Sequence, residues 1–266
     1  MQKDLIYDVG FHHGEDTEFY LVKGFKVVAI EAHPGLYRAG LEKFADHIES
    51  GRLVLLNLAV AETSGPITFF ESDNDVWGSI NRDAAMRNVR LGAGWREITV
   101  EGRRFAEILR QFGTPYFMKV DIEGADSLCL KALAEFDDRP RYVSIEAEVD
   151  VLSAIRREIS TLNSLGYRKF KIVRQGHVPL QSCPSPAREG RFVEYKFPYG
   201  SSGMFGEEAP GDWVSGDAAV EGYRRIVRVQ RFFGDKGWVR RLPLSTKIIN
   251  FIRPDVSWYD THASLA

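Results

Sequence analysis

The sequence predicts an α/β fold built on a doubly wound, mostly parallel sheet with one antiparallel strand. Three observations carry this. Strand-like and helix-like runs alternate from the first residues. A glycine turn follows the first strand directly, and an acidic residue ends the second.

The elements follow in order. Leu5-Ile6-Tyr7-Asp8-Val9 is a short apolar run ending at Gly10 and reads as a buried strand. Residues 17–23 read as a helix that stops near Gly24, a plausible C-cap. Lys26-Val27-Val28-Ala29-Ile30 is a second β-branched run. Residues 36–48 have helical spacing, and 53–60 form a third strand candidate. Residues 67–70 add a strand-like arm, while 73–94 show no period and read as a loop or insertion. Next come a helix at 105–112, a strand at 116–122, a helix at 125–136, a strand at 141–147, a helix at 151–165 and a strand at 167–173. A weaker strand is expected at 192–197. After Pro198 the texture turns rich in Gly, Ser and Pro, which makes 199–216 a loop. A helix is expected over 217–233, and the last stretch reads as irregular. The expected organisation is a cofactor-binding domain over 1–198 and a loop-and-helix extension over 199–266 packed on it.

The chain has 266 residues, with 35 Lys plus Arg against 37 Asp plus Glu. That length supports a core that folds without disulfides or metal. A net charge of −2 makes no case for nucleic-acid binding. Cys129 and Cys183 are far apart and fit no metal spacing, which points to a reducing compartment. The start of the chain has no signal-peptide pattern, and no apolar run approaches a membrane span. A soluble cytoplasmic protein with no membrane partner is expected. The sequence sets no oligomeric state.

The strongest chemical signal is Asp8-Val9-Gly10-Phe11-His12-His13-Gly14. Glycines here let the backbone turn sharply and approach a ligand. Open α/β sheets bind ligands at this end of their strands. Glu31 ends the second strand about 20 residues on, where a carboxylate can accept hydrogen bonds from ribose hydroxyls. Dinucleotide binding wants a G-x-G-x-x-G turn around a pyrophosphate. This chain has G-x-x-x-G preceded by Asp8, whose charge would repel a pyrophosphate. S-adenosylmethionine offers a sulfonium and an ammonium instead, so the sign of the charge favours a methyl donor. An NAD-dependent oxidoreductase and a non-catalytic nucleotide-binding domain are the alternatives.

Three segments together resemble the FkbM family of methyltransferases. They are Asp8-Val9-Gly10 with Gly14, Asp16 and Thr17; Val27-Val28-Ala29-Ile30-Glu31-Ala32 with Pro34; and Met118-Lys119-Val120-Asp121-Ile122-Glu123-Gly124-Ala125-Asp126. The resemblance spans roughly residues 5 to 170, and the third segment is its most specific part. It implies the Rossmann-like class I methyltransferase sheet, S-adenosylmethionine as cofactor, and O-methylation of a hydroxyl on a sugar, glycan or natural product. By position, Asp8, Gly10 and Gly14 would line the methionine end of the cofactor and Glu31 would hold the ribose. Asn57, Leu58 and Ala59 would lie near the adenine. Phe11, His12, Thr17 and Ala32 complete the expected cofactor-binding set. The chain departs from common members at His12, His13 and His33.

Asp121 and Glu123 end the fourth parallel strand and share a face, two residues apart. Asp121 is expected to bind cofactor or substrate, and Glu123 to act as general base or to cap the next helix. Glu146, ending the following strand, is a further catalytic candidate, as are His12 and His13, which rank below Glu123. A magnesium site on Asp121, Glu123 and Glu146 is not demanded by their spacing, so no metal is expected. The loop around Ser201-Ser202-Gly203 reads as a surface connector or a lid. Arg224, Arg228 and Arg231 read as a solvated stripe or an anion-facing one. Trp258 and Tyr259 read as sugar-stacking aromatics or core cover.

Overall fold

The computed structural model describes residues 1–72, 80, 95–122, 124–149, 151–234, 237–241 and 256–265. Apart from Ile80, the segment 73–94 lies outside the described residues, as does Glu123.

The main sheet has seven strands in the order β3-β2-β1-β7-β8-β10-β9. They are β1 (Gln2–Val9), β2 (Lys26–Glu31), β3 (Leu53–Asn57), β7 (Pro115–Val120), β8 (Tyr142–Glu146), β9 (Tyr167–Arg174) and β10 (Tyr259–Leu265). All neighbours pair parallel except β10, which runs antiparallel to both β8 and β9. Three further strands, β4 (Ala59–Val60), β5 (Gly65–Ser72) and β6 (Trp95–Arg103), make a small second sheet in the order β4-β6-β5.

Apolar alternation places a core on each face of the main sheet. Leu5, Tyr7 and Val9 point into one cluster and Ile6 into the other. The helices that cover these faces follow their apolar spacing. They are α1 (Glu15–Val22), α2 (Pro34–Lys43), α3 (Ala45–Glu49), α4 (Phe105–Phe112), α5 (Asp126–Leu133), α6 (Leu152–Ser164) and α7 (Gly216–Phe233). In α6 the buried residues are Ile155, Ile159 and Leu162, one stripe at i, i+4 and i+7. The chain leaves β1 towards β2 and β3, then returns to the other side of β1 at β7. The reversal opens a crevice above the carboxyl ends of β1 and β7, where ligands of such sheets bind.

Several expectations need correcting. The run 53–60 is two strands in two sheets, because the chain bends at Leu58, whose N–H donates to Glu31 O at 3.1 Å. The helical run 36–48 breaks at Phe44 into α2 and α3. Strand β6 went unforeseen. Residues 192–197 form no strand; Tyr195 and Phe197 instead lay their rings on Phe19 of α1. The described end of the final stretch is not irregular. It supplies β10, so the expected extension beyond Pro198 contributes a strand inside the sheet.

The segment after Pro198 is also tied down rather than loose. Ser201 to Gly206 is buried, and Ser202 N–H donates to Asp16 Oδ1 at 2.8 Å. Further along, Glu208 meets Lys23 at the end of α1, with Nζ 2.8 Å from Oε2 and 3.0 Å from Oε1. Neither side chain has any exposure. Glu208 Oε1 also accepts the N–H groups of Arg188 and Glu189. Removing one partner of such a pair strands a buried charge. Lys23→Met is therefore expected to lower unfolding free energy by about 3–5 kcal/mol in urea denaturation. A loss below ~1 kcal/mol would show that water reaches the pair.

Among the described residues no helix is long and apolar enough to cross a membrane.

Candidate active site

The turn after β1 is built by close backbone approach. Gly10 has φ +96°, and a Cβ there would stand 1.9 Å from the carbonyl oxygen of Asp121 at the end of β7. The two strand ends are tied by Asp121 N–H donating to Val9 O at 2.9 Å. Lys119 Nζ donates to Gly10 O, also at 2.9 Å. Gly14, φ +77°, then starts α1.

Beneath this turn lies a buried charge cluster. Lys119 Nζ is 3.4 Å from Asp8 Oδ1, 3.4 Å from Asp16 Oδ2 and 3.7 Å from Asp121 Oδ2. Burial alone would depress the lysine, but Asp8, Asp121, Asp16 and Asp260 together raise it well above its ordinary value. Asp8 Oδ2 accepts from Thr17 Oγ1 at 2.6 Å. Burial pushes the Asp8 carboxyl up to about 6, against the pull of Lys119. A carboxyl raised on folding favours the folded state at low pH, and that contribution is lost as pH rises through the folded value. Relative to Asp8→Asn, the wild type is thus expected to lose about 2–3 kcal/mol between pH 4 and pH 7. Urea midpoints of both proteins at the two pH values measure this. The constant cost of the substitution cancels, and a pH-independent difference would contradict the burial argument.

At the end of β2, Glu31 Oε2 accepts His12 N–H at 2.8 Å and Oε1 accepts His33 N–H at 2.7 Å. Burial still leaves its carboxyl above the usual range. Asn57 Nδ2 donates to Glu31 O and Ala32 O, at 2.9 and 3.3 Å, and so holds the ends of β2 and β3 together. His33 caps α2: its Nδ1 accepts from Gly35 and Leu36 N–H. That leaves Nε2 to carry the proton, 2.8 Å from Glu71 Oε1. After β7 the turn is set by Asp126, whose carboxylate accepts Ile122 and Gly124 N–H, both at 3.2 Å. Asp126 thus fixes the turn that Glu123 was expected to cap.

These elements surround a cavity of about 780 Å³, the size of a cofactor plus a small substrate. Of the expected residues, Gly10, Phe11, His12, Glu31, Ala32, Ala59, Asp121 and Glu146 line it. Asp8, Gly14, Thr17 and Asn57 do not. Asp8 and Thr17 sit under the floor, Gly14 shapes the turn, and Asn57 clamps two strand ends. Lining residues to which the sequence reading gave no site role are Asp16, Lys119, Gln175, Tyr199 and Asp260; Ser202, read as connector or lid, and Trp258, read as sugar-stacking or core cover, line it too. The third motif contained Lys119 and the first contained Asp16, so a signal existed for both. For Asp260 there was none, because β10 was unforeseen. Tyr259 packs into the core, whereas Trp258 meets Tyr199 edge to face at 5.4 Å. Arg224, Arg228 and Arg231 are exposed on α7 and are not among the lining residues.

The charge of this cavity selects its ligand. The N-terminus of α1 would ordinarily attract a phosphate, but its first turn carries Glu15, Asp16 and Glu18. A pyrophosphate would meet carboxylates there, whereas a sulfonium or ammonium meets complementary charge. The Gly10 approach, Glu31 at the end of β2 and the acidic first turn of α1 together fit S-adenosylmethionine. A seven-stranded sheet with one antiparallel strand and such a crevice is that of a class I methyltransferase.

Residues 8–169 match the model of the methyltransferase FkbM domain, more than half of the chain. The chain belongs to this family, and S-adenosylmethionine is its methyl donor. Among solved structures, an S-adenosylmethionine-dependent methyltransferase from Archaeoglobus fulgidus is 12% identical at a TM-score of 0.39, covering 98% of this chain and 85% of its own. A precorrin-6y C5,15-methyltransferase from Geobacter metallireducens is 10% identical at a TM-score of 0.39, covering 100% of this chain and 82% of its own. None of the curated proteins compared with the chain matches it.

Proposed function

We propose that this methyltransferase acts on a hydroxyl oxygen of a small molecule or glycan. The observation that carries the reading is a stretch of the cavity wall. It joins the carboxylates Asp121 and Glu146 to the aromatic pair Tyr199 and Trp258. Carboxylates accept hydrogen bonds from hydroxyls, and aromatic faces pack on the apolar face of a sugar or ring. Among the described lining residues Lys119 is the only lysine or arginine, and its ammonium is held by Gly10 O and three aspartates. That wall suits an uncharged polyol better than a phosphorylated acceptor.

The bound cofactor supplies an electrophilic methyl group. The chain's part is to hold the hydroxyl in line with it, which can supply about 7–11 kcal/mol of the barrier. Asp8, Gly14, Thr17 and Asn57 support that arrangement from behind, while Gly10, Phe11, His12, Glu31, Ala32 and Ala59 contact the cofactor.

Labelled methyl donor offered with neutral glycosides, nucleotide-linked sugars and polyketide alcohols tests the reading. An alkali-stable O-methyl product from a neutral hydroxyl is expected. Labelling only of amines or carboxylates would overturn it.

A further inference from the structure

β10 brings a group to the site that the chain's order conceals. Asp260 lies beside Glu146 of β8 in register and lines the cavity together with Gln175, Tyr199 and Trp258. Its Oδ2 accepts a hydrogen bond from Ser144 Oγ at 3.3 Å, and Ser144 Oγ lies 3.2 Å from His262 Nε2. With Ser144 donating to Asp260, His262 must donate its Nε2–H to Ser144. Its Nδ1 then stays bare, and that atom has no hydrogen-bond partner among the described residues. The histidine is neutral: burial, and then Lys171, bring its value down to about 3.

The other carboxylates among the described lining residues are otherwise engaged. Glu31 accepts two backbone N–H groups, and Asp16 holds Ser202 N–H and faces Lys119. Glu15 faces His12 at 3.5 Å. Asp121 faces Lys119 with 44% of its side chain exposed, and Glu146 is exposed at the end of β8. Asp260 is buried, its one hydrogen-bond donor is a neutral hydroxyl, and its Oδ1 bonds to no described residue.

We propose that Asp260 is the catalytic base that takes the acceptor's hydroxyl proton, an inference that rests on the hydroxyl-acceptor reading above. As the acceptor oxygen bonds to the methyl carbon, the carbon–sulfur bond breaks and its electron pair stays on sulfur. The oxygen–hydrogen bond breaks and the proton passes to Asp260. The Ser144 hydroxyl, polarised by His262, steadies the carboxylate beforehand.

The groups facing Asp260 are Asp16 and Tyr20 of α1, Lys119 and Asp121 of β7, Ser144 and Glu146 of β8, Tyr223 of α7 and His262 of its own strand. Burial first, then Asp121, raise its carboxyl well above the usual range. A cation in the cavity opposes that and favours the carboxylate. The methyl donor carries a sulfonium that its demethylated product lacks, so donor binding itself readies the base.

Calorimetry in buffers of differing ionisation enthalpy tests this without an acceptor. Wild type is expected to release more protons on binding S-adenosylmethionine than on binding S-adenosylhomocysteine. Asp260→Asn should abolish most of that difference and bind the donor more weakly than wild type, because a donor that displaces the Asp260 proton is itself held more tightly by the carboxylate. An unchanged difference in Asp260→Asn would place the proton on Asp8 or Asp16 and overturn the proposal. With a methyl glycoside acceptor, Asp260→Asn should lower kcat by about 10²–10⁴-fold, and an unaltered kcat overturns the proposal equally. If Asp260→Asn does not fold, Ser144→Ala decides. It removes one donor to the carboxylate, so the pH midpoint of proton release must move upward; an unmoved midpoint overturns the proposal. Failure of every acceptor in wild type, with proton release intact, counts against the hydroxyl reading alone.

Discussion

A chain lacking residues 256–266 is expected not to fold. β10 sits between β8 and β9, pairing with β9 along Tyr259 to Leu265 and with β8 along Asp260 to Ser264. Backbone bonds continue at its start, where Ala147 N–H donates to Tyr259 O and Gln175 N–H donates to Trp258 O. Deletion turns the interior strand β8 into an unpaired edge and leaves β9, already at the sheet's edge, without its partner strand. Each ladder hydrogen bond contributes about 1 kcal/mol net, so two ladders of this length sum to ~10 kcal/mol. That is comparable to the whole stability of a typical domain, about 5–15 kcal/mol. The deletion also removes the buried side chains of Tyr259, Thr261 and Ala263 from the core. Circular dichroism and a denaturant titration check this. A cooperative transition in the truncated chain would mean that the sheet closes without its antiparallel strand.

Gly10→Ala is expected to abolish cofactor binding while leaving a folded but weakened protein. A left-handed alanine costs about 1–2 kcal/mol in backbone strain. The greater part is steric. The new Cβ would fall 1.9 Å from Asp121 O, a backbone atom fixed by its own ladder. Relief requires the ends of β1 and β7 to separate, which breaks Asp121 N–H to Val9 O and Lys119 Nζ to Gly10 O. Those bonds hold the turn against which the cofactor lies, so affinity should fall by at least about 100-fold, ~2.7 kcal/mol. Gly51→Ala is the control, because Gly51 has φ +69° and an added methyl there would meet nothing within 4 Å. It should lose only the strain and keep its affinity. Calorimetry with S-adenosylmethionine and thermal melts of both variants separate the two effects. Equal affinity in the two variants would refute the steric account.

Legibility in the sequence followed locality. The turn Asp8 to Gly14 was readable because a strand, its glycines and the next acid fall within a short span. Glu31 at the end of β2 was readable for the same reason. Roles were less legible than positions. Asp8 was expected to face the cofactor, yet it lies under the floor bonded to Thr17, and Asp16 lines the cavity instead. A strand's alternation says which side chains share a face, but not which are roofed by a lysine from a strand more than a hundred residues away.

The alternating pattern by itself determined a doubly wound sheet, the β1 turn and the methyl-donor chemistry, because each depends on neighbours in sequence. Tertiary structure alone decided where the chain's last strand goes. The stretch holding Tyr259-Asp260-Thr261-His262 reads as irregular, yet these residues form a buried strand. Burial is tolerable only because Ser144 meets Asp260 and His262, and Tyr223 meets Thr261 at 2.8 Å. Polar groups can enter a core when distant partners satisfy their hydrogen bonds, and no local pattern encodes such partners. The same assembly that hides β10 in the sheet places Asp260 against the acceptor, so the part of the site least visible in the sequence is the part that faces the chemistry.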